Sequence, residues 1–396
     1  MGKQSILYSI LGIRHKLYGA VFSLLTLVNR VIPHKKNKIL IFDPKFDKFD
    51  NTGALYDYLI EGKYYEKYLI VNVCKNYKEL RDHLRKNVVQ CGELMGVFHY
   101  LTSTYVYYRS MTIRIKPAKG QQVIQMWHGS PCKGVELSMI RPDWTNPYYT
   151  GAFSASKYFN KVFAQVFSLP EEKLLLCGQP RTDVLFKVWP KYDFGEYKKL
   201  IIWTPTFRKY KMTRWGMGTQ VENEDRLLPI IPLDRFAEVN AHLKEIGVKV
   251  VIKLHPMQSL EKYNLVEMDH FLLMSDNDFK SKGMDLYKFM TQCDAMITDY
   301  SSIYWDFLVL DRPIGFTEDD AEDYGKGRGF IMDDPEKYKP GMKLVSMADF
   351  YKFVNDLAVG IDGYKKQRKE MNAYGNPVTD GQSCKRALEC VGITLQ

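Results

Sequence analysis

Short, unbroken apolar runs recur from Lys38 to Phe316, each closed by polar or turn-forming residues and followed by a helical pattern. The clearest unit is Cys293 to Phe316. Ala295-Met296-Ile297 reads as a buried strand, because the run is apolar on both faces. Thr298 to Ser302 are polar or turn-tolerant, and Ser301 or Ser302 is placed to cap the helix that follows. Ile303, Phe307 and Leu310 share one face of that helix. Pro313 ends it, and Ile314-Gly315-Phe316 begins the next strand. Such a turn leaves backbone N–H groups and two hydroxyls at the positive end of a helix dipole, which suits an anion such as phosphate. An ordinary capped helix is the plainer alternative.

The same unit repeats in two arrays. Strands are expected at Lys38–Phe42, Tyr68–Val73, Val88-Val89, Thr104–Tyr108, Gln122–Trp127, Ala152-Phe153 and Leu174–Cys177. Helices are expected from Thr52, at 78–86, at Phe98–Leu101 and from Ser156. After Pro190 the pattern restarts with strands Lys199–Trp203, Val248–Leu254 and Phe271–Met274 before the opening unit. Strands alternating with helices imply a parallel sheet covered on both faces. A chain of 396 residues is long for one domain. The fold class expected is α/β, with two doubly wound, Rossmann-like domains facing a cleft. The boundaries are an N-terminal segment 1–37, a domain 38–190, a second domain 191–375 and a tail 376–396 that packs back toward the first domain. A helix over about 347–372 is expected to pack across the domains.

Net charge is +10, which points to an anionic partner. No Lys/Arg-rich arm suggests nucleic acid, so phosphate and anionic membrane are favoured. Seven cysteines without a CxxC pair argue against a disulfide scaffold or structural zinc, and for a reducing cytoplasm. Ile6 to Ile32 is apolar but interrupted by Arg14-His15-Lys16; the uncharged part Leu17–Asn29 has 13 residues, too few to span a bilayer, which takes about 20. Basic residues flank it, so an amphipathic helix lying on an anionic membrane surface is expected.

The unusual polar residues collect where strands end, the side on which open α/β sheets bind ligands. His128 and Gly129 follow one strand. Thr204, Thr206 and Arg208 follow another, Lys253 and His255 a third, and Asp299, Ser301 and Ser302 a fourth. The second array thus offers a cationic, hydroxyl-rich pocket suited to a diphosphate, with no metal-ligand cluster.

These residues also carry a resemblance. Gln125-Met-Trp-His-Gly-Ser-Pro-Cys-Lys133 is similar to the "Q-x-W-H-G-T-P-x-K" signature of the CDP-glycerol glycerophosphotransferase family, which includes teichoic-acid primases and polymerases. Gly178-Gln-Pro-Arg-Thr-Asp183, Thr204-Pro-Thr-Phe-Arg208, Lys253-Leu-His-Pro256 and Thr298-Asp-Tyr-Ser-Ser302 with Asp306 resemble its next motifs. Arg328-Gly-Phe330 and Asp380-Gly381 fit its last two. Ser130 stands where the family usually has Thr. The resemblance implies a GT-B-like architecture, with the donor nucleotide in the C-terminal domain and the acceptor along the N-terminal one. It implies a peripheral enzyme on the cytoplasmic face of the membrane, a CDP-glycerol or CDP-ribitol donor, and a lipid-linked (undecaprenyl-type) saccharide acceptor.

On this reading an acceptor hydroxyl attacks the β-phosphorus of a CDP-polyol and CMP leaves. His128 is the candidate base, since a neutral imidazole suits that task near neutral pH. His255 is the candidate for protonating CMP. His255, Arg208, Ser301 and Ser302 are assigned to the diphosphate, with Thr204, Thr206, Lys253 and Asp299 around the donor. Arg181 and Asp183 are read as substrate contacts or as an ion pair fixing the hinge. Asp306 either orients a side chain or is a solvated helix carboxylate. Arg328 and Asp380 are further candidates. No cofactor or metal is expected, because the CDP-polyol is itself a substrate. Ribitol transfer, capsule polymer synthesis, a GT-B nucleotide-sugar glycosyltransferase and a non-catalytic membrane-surface protein are the alternatives.

Overall fold

The computed structural model describes residues 21–44, 49–78, 85–109, 113–130, 148–206, 227–254, 268–322, 332 and 334–395. The expected helix at 78–86 falls largely outside them, as do Arg208, His255 and Arg328. The chain forms two compact units.

The first comprises Met1–His128, Ile140–Arg181 and Gln382–Gln396. Its seven strands are β1 (Lys35–Phe42), β2 (Leu69–Val73), β3 (Val88–Cys91), β4 (Ser103–Tyr108), β5 (Gln122–Gln125), β6 (Gly151–Ser154) and β7 (Leu174–Leu176). They are ordered β3-β2-β1-β4-β5-β6-β7. Every pairing is parallel, with Ile39 opposite Ile70 on one side of β1 and Tyr105 on the other. Ile39, Leu40 and Ile41 are fully buried, as expected for a strand covered on both faces. The helix Asn51–Glu61 packs Leu55 and Leu59 into this core, and the C-terminal helix Ser383–Glu389 adds Cys384, Ala387 and Leu388. Tyr107 donates its hydroxyl to Ala387 O at 2.9 Å, which ties β4 to that helix.

A helix at 21–31 precedes β1. It is anchored through polar residues: Asn29 Nδ2 donates to Gln121 Oε1 (2.7 Å) and Lys116 O (3.0 Å). Val21, Leu24, Leu27 and Val31 stay exposed. Among the described residues, no helix is long and apolar enough to cross a membrane.

The second unit comprises Gly129–Met139 and Thr182–Gly381. Its strands are β8 (Lys199–Trp203), β9 (Val248–Lys253), β10 (Phe271–Met274), β11 (Ala295–Thr298), β12 (Ile314–Thr317) and β13 (Met342–Leu344). They are ordered β10-β9-β8-β11-β12-β13, again all parallel. Trp203, Phe236, Phe271 and Phe350 form an aromatic centre to its core.

The single helix expected over about 347–372 is two helices, Met347–Ala358 and Lys365–Gly375, both in the second unit. The chain leaves the first at Gly360, which takes φ 79°, a left-handed value that ends a helix cheaply only at glycine. The helix after β11 is also shorter than expected: Ile303–Phe307, then a 3-10 turn Leu308–Leu310, closed by Asp311 at φ 48° before Pro313 is reached.

Candidate active site

In each unit the strand order reverses beside its first strand, and the crevice outside the carboxyl ends there is where such sheets bind ligands. In the first unit that point lies between β1 and β4, and β5 is the next strand out.

Beyond β5 the backbone turns sharply. Trp127 takes φ 52° and Gly129 φ 140°. A left-handed tryptophan costs on the order of 1–3 kcal/mol and persists only where its surroundings over-determine it. The turn sends Trp127 inward, edge-on to Phe167 with centroids 5.4 Å apart, and leaves His128 exposed. The His128 ring stacks on Trp127 at 4.0 Å between centroids. Trp127 is therefore core and a platform for the histidine.

Five residues of the first unit meet behind this turn. Asp43 follows β1, Arg109 follows β4, Asp50 and Asn51 start the helix Asn51–Glu61, and Arg181 lies past β7. Arg109 bridges Asp43 Oδ2 (3.2 Å) and Asp50 Oδ2 (2.5 Å) across the switch point. Asp50 Oδ1 accepts from Asn51 N at 2.7 Å, capping the helix, and pairs with Arg181 at 3.3 Å. Burial works against ionisation of Asp50, but Arg181, Arg109 and the Asn51 N–H outweigh it and hold the carboxyl below the usual range. Arg181 thus pairs with Asp50 within the first unit, and Asp183 is buried in the 3-10 segment Pro180–Phe186. Of these five, only Arg181 stood out in the sequence. The signals for the rest were present: Asp50-Asn51 before an apolar helix is an N-cap pattern, and Asp43 and Arg109 follow strands.

In the second unit the reversal lies between β8 and β11, and the structure brings Thr204, Thr206, Thr298 and Asp299 together there. Thr204 Oγ1 donates to Thr298 Oγ1, and Thr298 Oγ1 to Thr204 O, each at 3.1 Å. Thr206 donates its N–H to Asp299 Oδ2 at 2.7 Å and its hydroxyl to Asp299 Oδ1. The fully buried Asp299 thus fixes the loop leaving β8. Lys253, at the end of β9, pairs with Asp276 at 3.0 Å. Burial raises the pKa of Asp276, yet the bonds from Lys280 and Lys253 hold it below the usual range.

Ser302 does not cap the helix after β11. Its own backbone is helical (φ −65°, ψ −9°), so its hydroxyl does not reach back to the first N–H groups. Ser301 Oγ accepts from Ile303 N at 3.5 Å, a long contact, and both serines are half-buried at the same strand end. The helix behind it has only 5 residues, so its dipole adds little positive charge at this strand end. Asp306 is 1 % exposed and accepts from the Tyr287 hydroxyl at 2.7 Å, so it orients a side chain and is not solvated. Asp380 is exposed, beside Gly381 at φ 71°. Among the described residues no group of His, Cys, Asp and Glu is set to hold a metal.

Two units with all-parallel sheets, each with a strand-order reversal lined by polar side chains, define an α/β protein of the doubly wound class. The chain belongs to the CDP-Glycerol:Poly(glycerophosphate) glycerophosphotransferase family, whose model matches residues 24–392. It is 26% identical over 343 residues to the Teichoic acid poly(ribitol-phosphate) polymerase of Bacillus spizizenii, covering 80% of this chain and 51% of that one. It is 27% identical over 370 residues to the Teichoic acid poly(glycerol phosphate) polymerase of the same organism, covering 86% and 88%. The chain therefore spans about half the length of the first relative and most of the second. The fold is that of the wall teichoic acid polymerase TagF, with TM-score 0.68, 20% identity, and 98% and 96% of the two chains covered.

Proposed function

We propose that this protein transfers a polyol phosphate, glycerol phosphate first among them, from a CDP-polyol to a hydroxyl of a lipid-linked acceptor. CMP is released, in synthesis of wall teichoic acid or a related surface polymer. The family supports the donor class. The observation that carries the chemistry is His128, exposed on a strained turn at the carboxyl end of β5.

The acceptor oxygen bonds to the β-phosphorus as the bond from that phosphorus to the CMP oxygen breaks. His128 takes the hydroxyl proton, and the CMP oxygen leaves with the bonding pair, with His255 to protonate it. Arg208, Lys253, Ser301 and Ser302 hold the diphosphate, where fixed donors and cations stabilise the charge that develops. Thr204 and Thr206 shape the loop beside it, and Asp299 holds that loop. Gly129 permits the turn after His128, Arg181 steadies it, and Asp183, Arg328 and Asp380 are further candidates for contacting substrate.

The acceptor lipid brings the enzyme to the cytoplasmic face of the membrane as a peripheral protein. The exposed side of helix 21–31, with Leu24, Leu27 and Val31, supports this reading, and Arg30, Lys35 and Lys36 stand beside it for anionic headgroups. Gln121 links that helix to the end of the helix Glu93–Tyr100, whose Leu94, Met95 and Phe98 are also exposed.

The test is CMP release with CDP-glycerol and with CDP-ribitol on a lipid-linked acceptor. CMP formed with glycerol phosphate on the acceptor supports the reading. Preference for CDP-ribitol replaces the polyol, and transfer of a sugar without phosphorus defeats it. His128→Ala is expected to abolish transfer in a folded protein; near-normal turnover in that variant sinks the base assignment.

A further inference from the structure

We propose that Asn51 and Arg181 are positioning residues for His128, acting as a clamp on the three carbonyls of the turn that carries it; this rests on His128 being the base. Past the end of β5 the carbonyls of Met126, Trp127 and His128 point away from the extended ladder and are taken by side chains from elsewhere in the first unit. Asn51 Nδ2 donates to Met126 O and Trp127 O, each at 3.2 Å. Arg181 Nη1 donates to His128 O at 2.5 Å.

The clamp is itself immobilised. Asn51 is fully buried; its Nδ2 also donates to Gln179 Oε1 at 2.7 Å, and its Oδ1 accepts from Arg181 N at 3.2 Å. The two clamp residues therefore hold each other. Arg181 is then fixed by Asp50, Asp50 by Arg109, and Arg109 by Asp43 at the end of β1. This chain runs from the switch point of the sheet to the backbone of the histidine. A tryptophan at φ 52° relaxes toward ordinary backbone angles once its carbonyl is released, and relaxation there swings the adjacent imidazole. Neither residue needs to touch substrate.

Displacing a catalytic group by about an ångström costs on the order of 100-fold in rate. Asn51→Ala is therefore expected to lower kcat about 100-fold while leaving KM for CDP-glycerol within about threefold. Arg181→Lys keeps a charge beside Asp50 but loses the rigid planar guanidinium whose Nη1 meets both Asp50 Oδ1 and His128 O, and is expected to lower kcat at least about tenfold.

The decisive experiment is a double-mutant cycle with His128→Ala, reading slow CMP release over hours, with circular dichroism and thermal melts as a check on folding. If Asn51 works through His128, adding Asn51→Ala to His128→Ala lowers the residual rate no further. An equal loss in both backgrounds means a merely structural role and overturns the proposal. So does a folded Asn51→Ala protein with normal kcat. If Asn51→Ala does not fold, Arg181→Lys decides, and full activity in it overturns the proposal. Near-normal turnover of His128→Ala by itself overturns the base assignment instead, so the two failures are told apart.

Discussion

Asp50 sits between two guanidiniums and at a helix N-terminus, and its ionised form holds Arg109 and Arg181 in place. Its carboxyl is held below the ordinary range in the folded protein. An unfolded aspartate takes up its proton near pH 4, whereas the folded one does so only at lower pH. The stability it contributes is therefore fully present above about pH 4 and lost as pH falls through the depressed folded value. Asp50→Asn should flatten the difference in unfolding free energy between pH 5 and pH 2 relative to the parent protein, measured by denaturant melts; an unchanged pH dependence would show that Asp50 titrates normally. At this scale the exposed position of His128 past the end of β5 was legible, since the apolar run stops at Trp127 and a glycine follows the histidine. Asn51 was legible only as a helix start, not as a partner of this turn: its bonds to Met126 and Trp127 join residues 75 and 76 positions apart, and only the sheet topology brings them together.

Among the elements, the strands were readable because a strand covered on both faces must be apolar throughout, and Ile39–Ile41, Ile201–Trp203 and Ala295–Ile297 are. Helix ends were less so. Ser302 has the right residue type for a cap, yet the backbone stays helical through it. The break at Gly360 lies between apolar residues, Val359 and Ile361, that continue the helical pattern on either side of it. The helix Lys365–Gly375 ends against Trp305: a Cβ on Gly375 would lie 2.2 Å from the indole. Gly375→Ala should cost about 1–3 kcal/mol by overpacking, read as a lower melting point; an unchanged one would mean that the ring moves freely. Helix 21–31 turns Leu24 and Leu27 outward, at 62% and 57% exposure. Leu24→Glu with Leu27→Glu should weaken binding to vesicles containing anionic lipid at least about tenfold without changing the melting point. Equal binding would count against membrane seating through this helix.

For the whole molecule, two doubly wound units were legible from the alternation alone; a tail was expected over 376–396, and residues 382–396 belong to the first unit, with Cys384, Ala387, Leu388 and Ile393 in its core. Leu388 and Ile393 are fully buried there, so deleting that segment should leave the first unit poorly folded, visible as lost protection of β1 and β4 in hydrogen exchange. Protection like that of the full chain would show the segment to be dispensable. Polyol-phosphate transfer stands or falls on the mass of the product. The full chain, given a lipid-linked acceptor and CDP-glycerol, should yield acceptor heavier by one or more glycerol phosphate units, with one CMP released for each. A product gaining a sugar without phosphorus, or an unchanged acceptor with no CMP from either CDP-polyol, would contradict it.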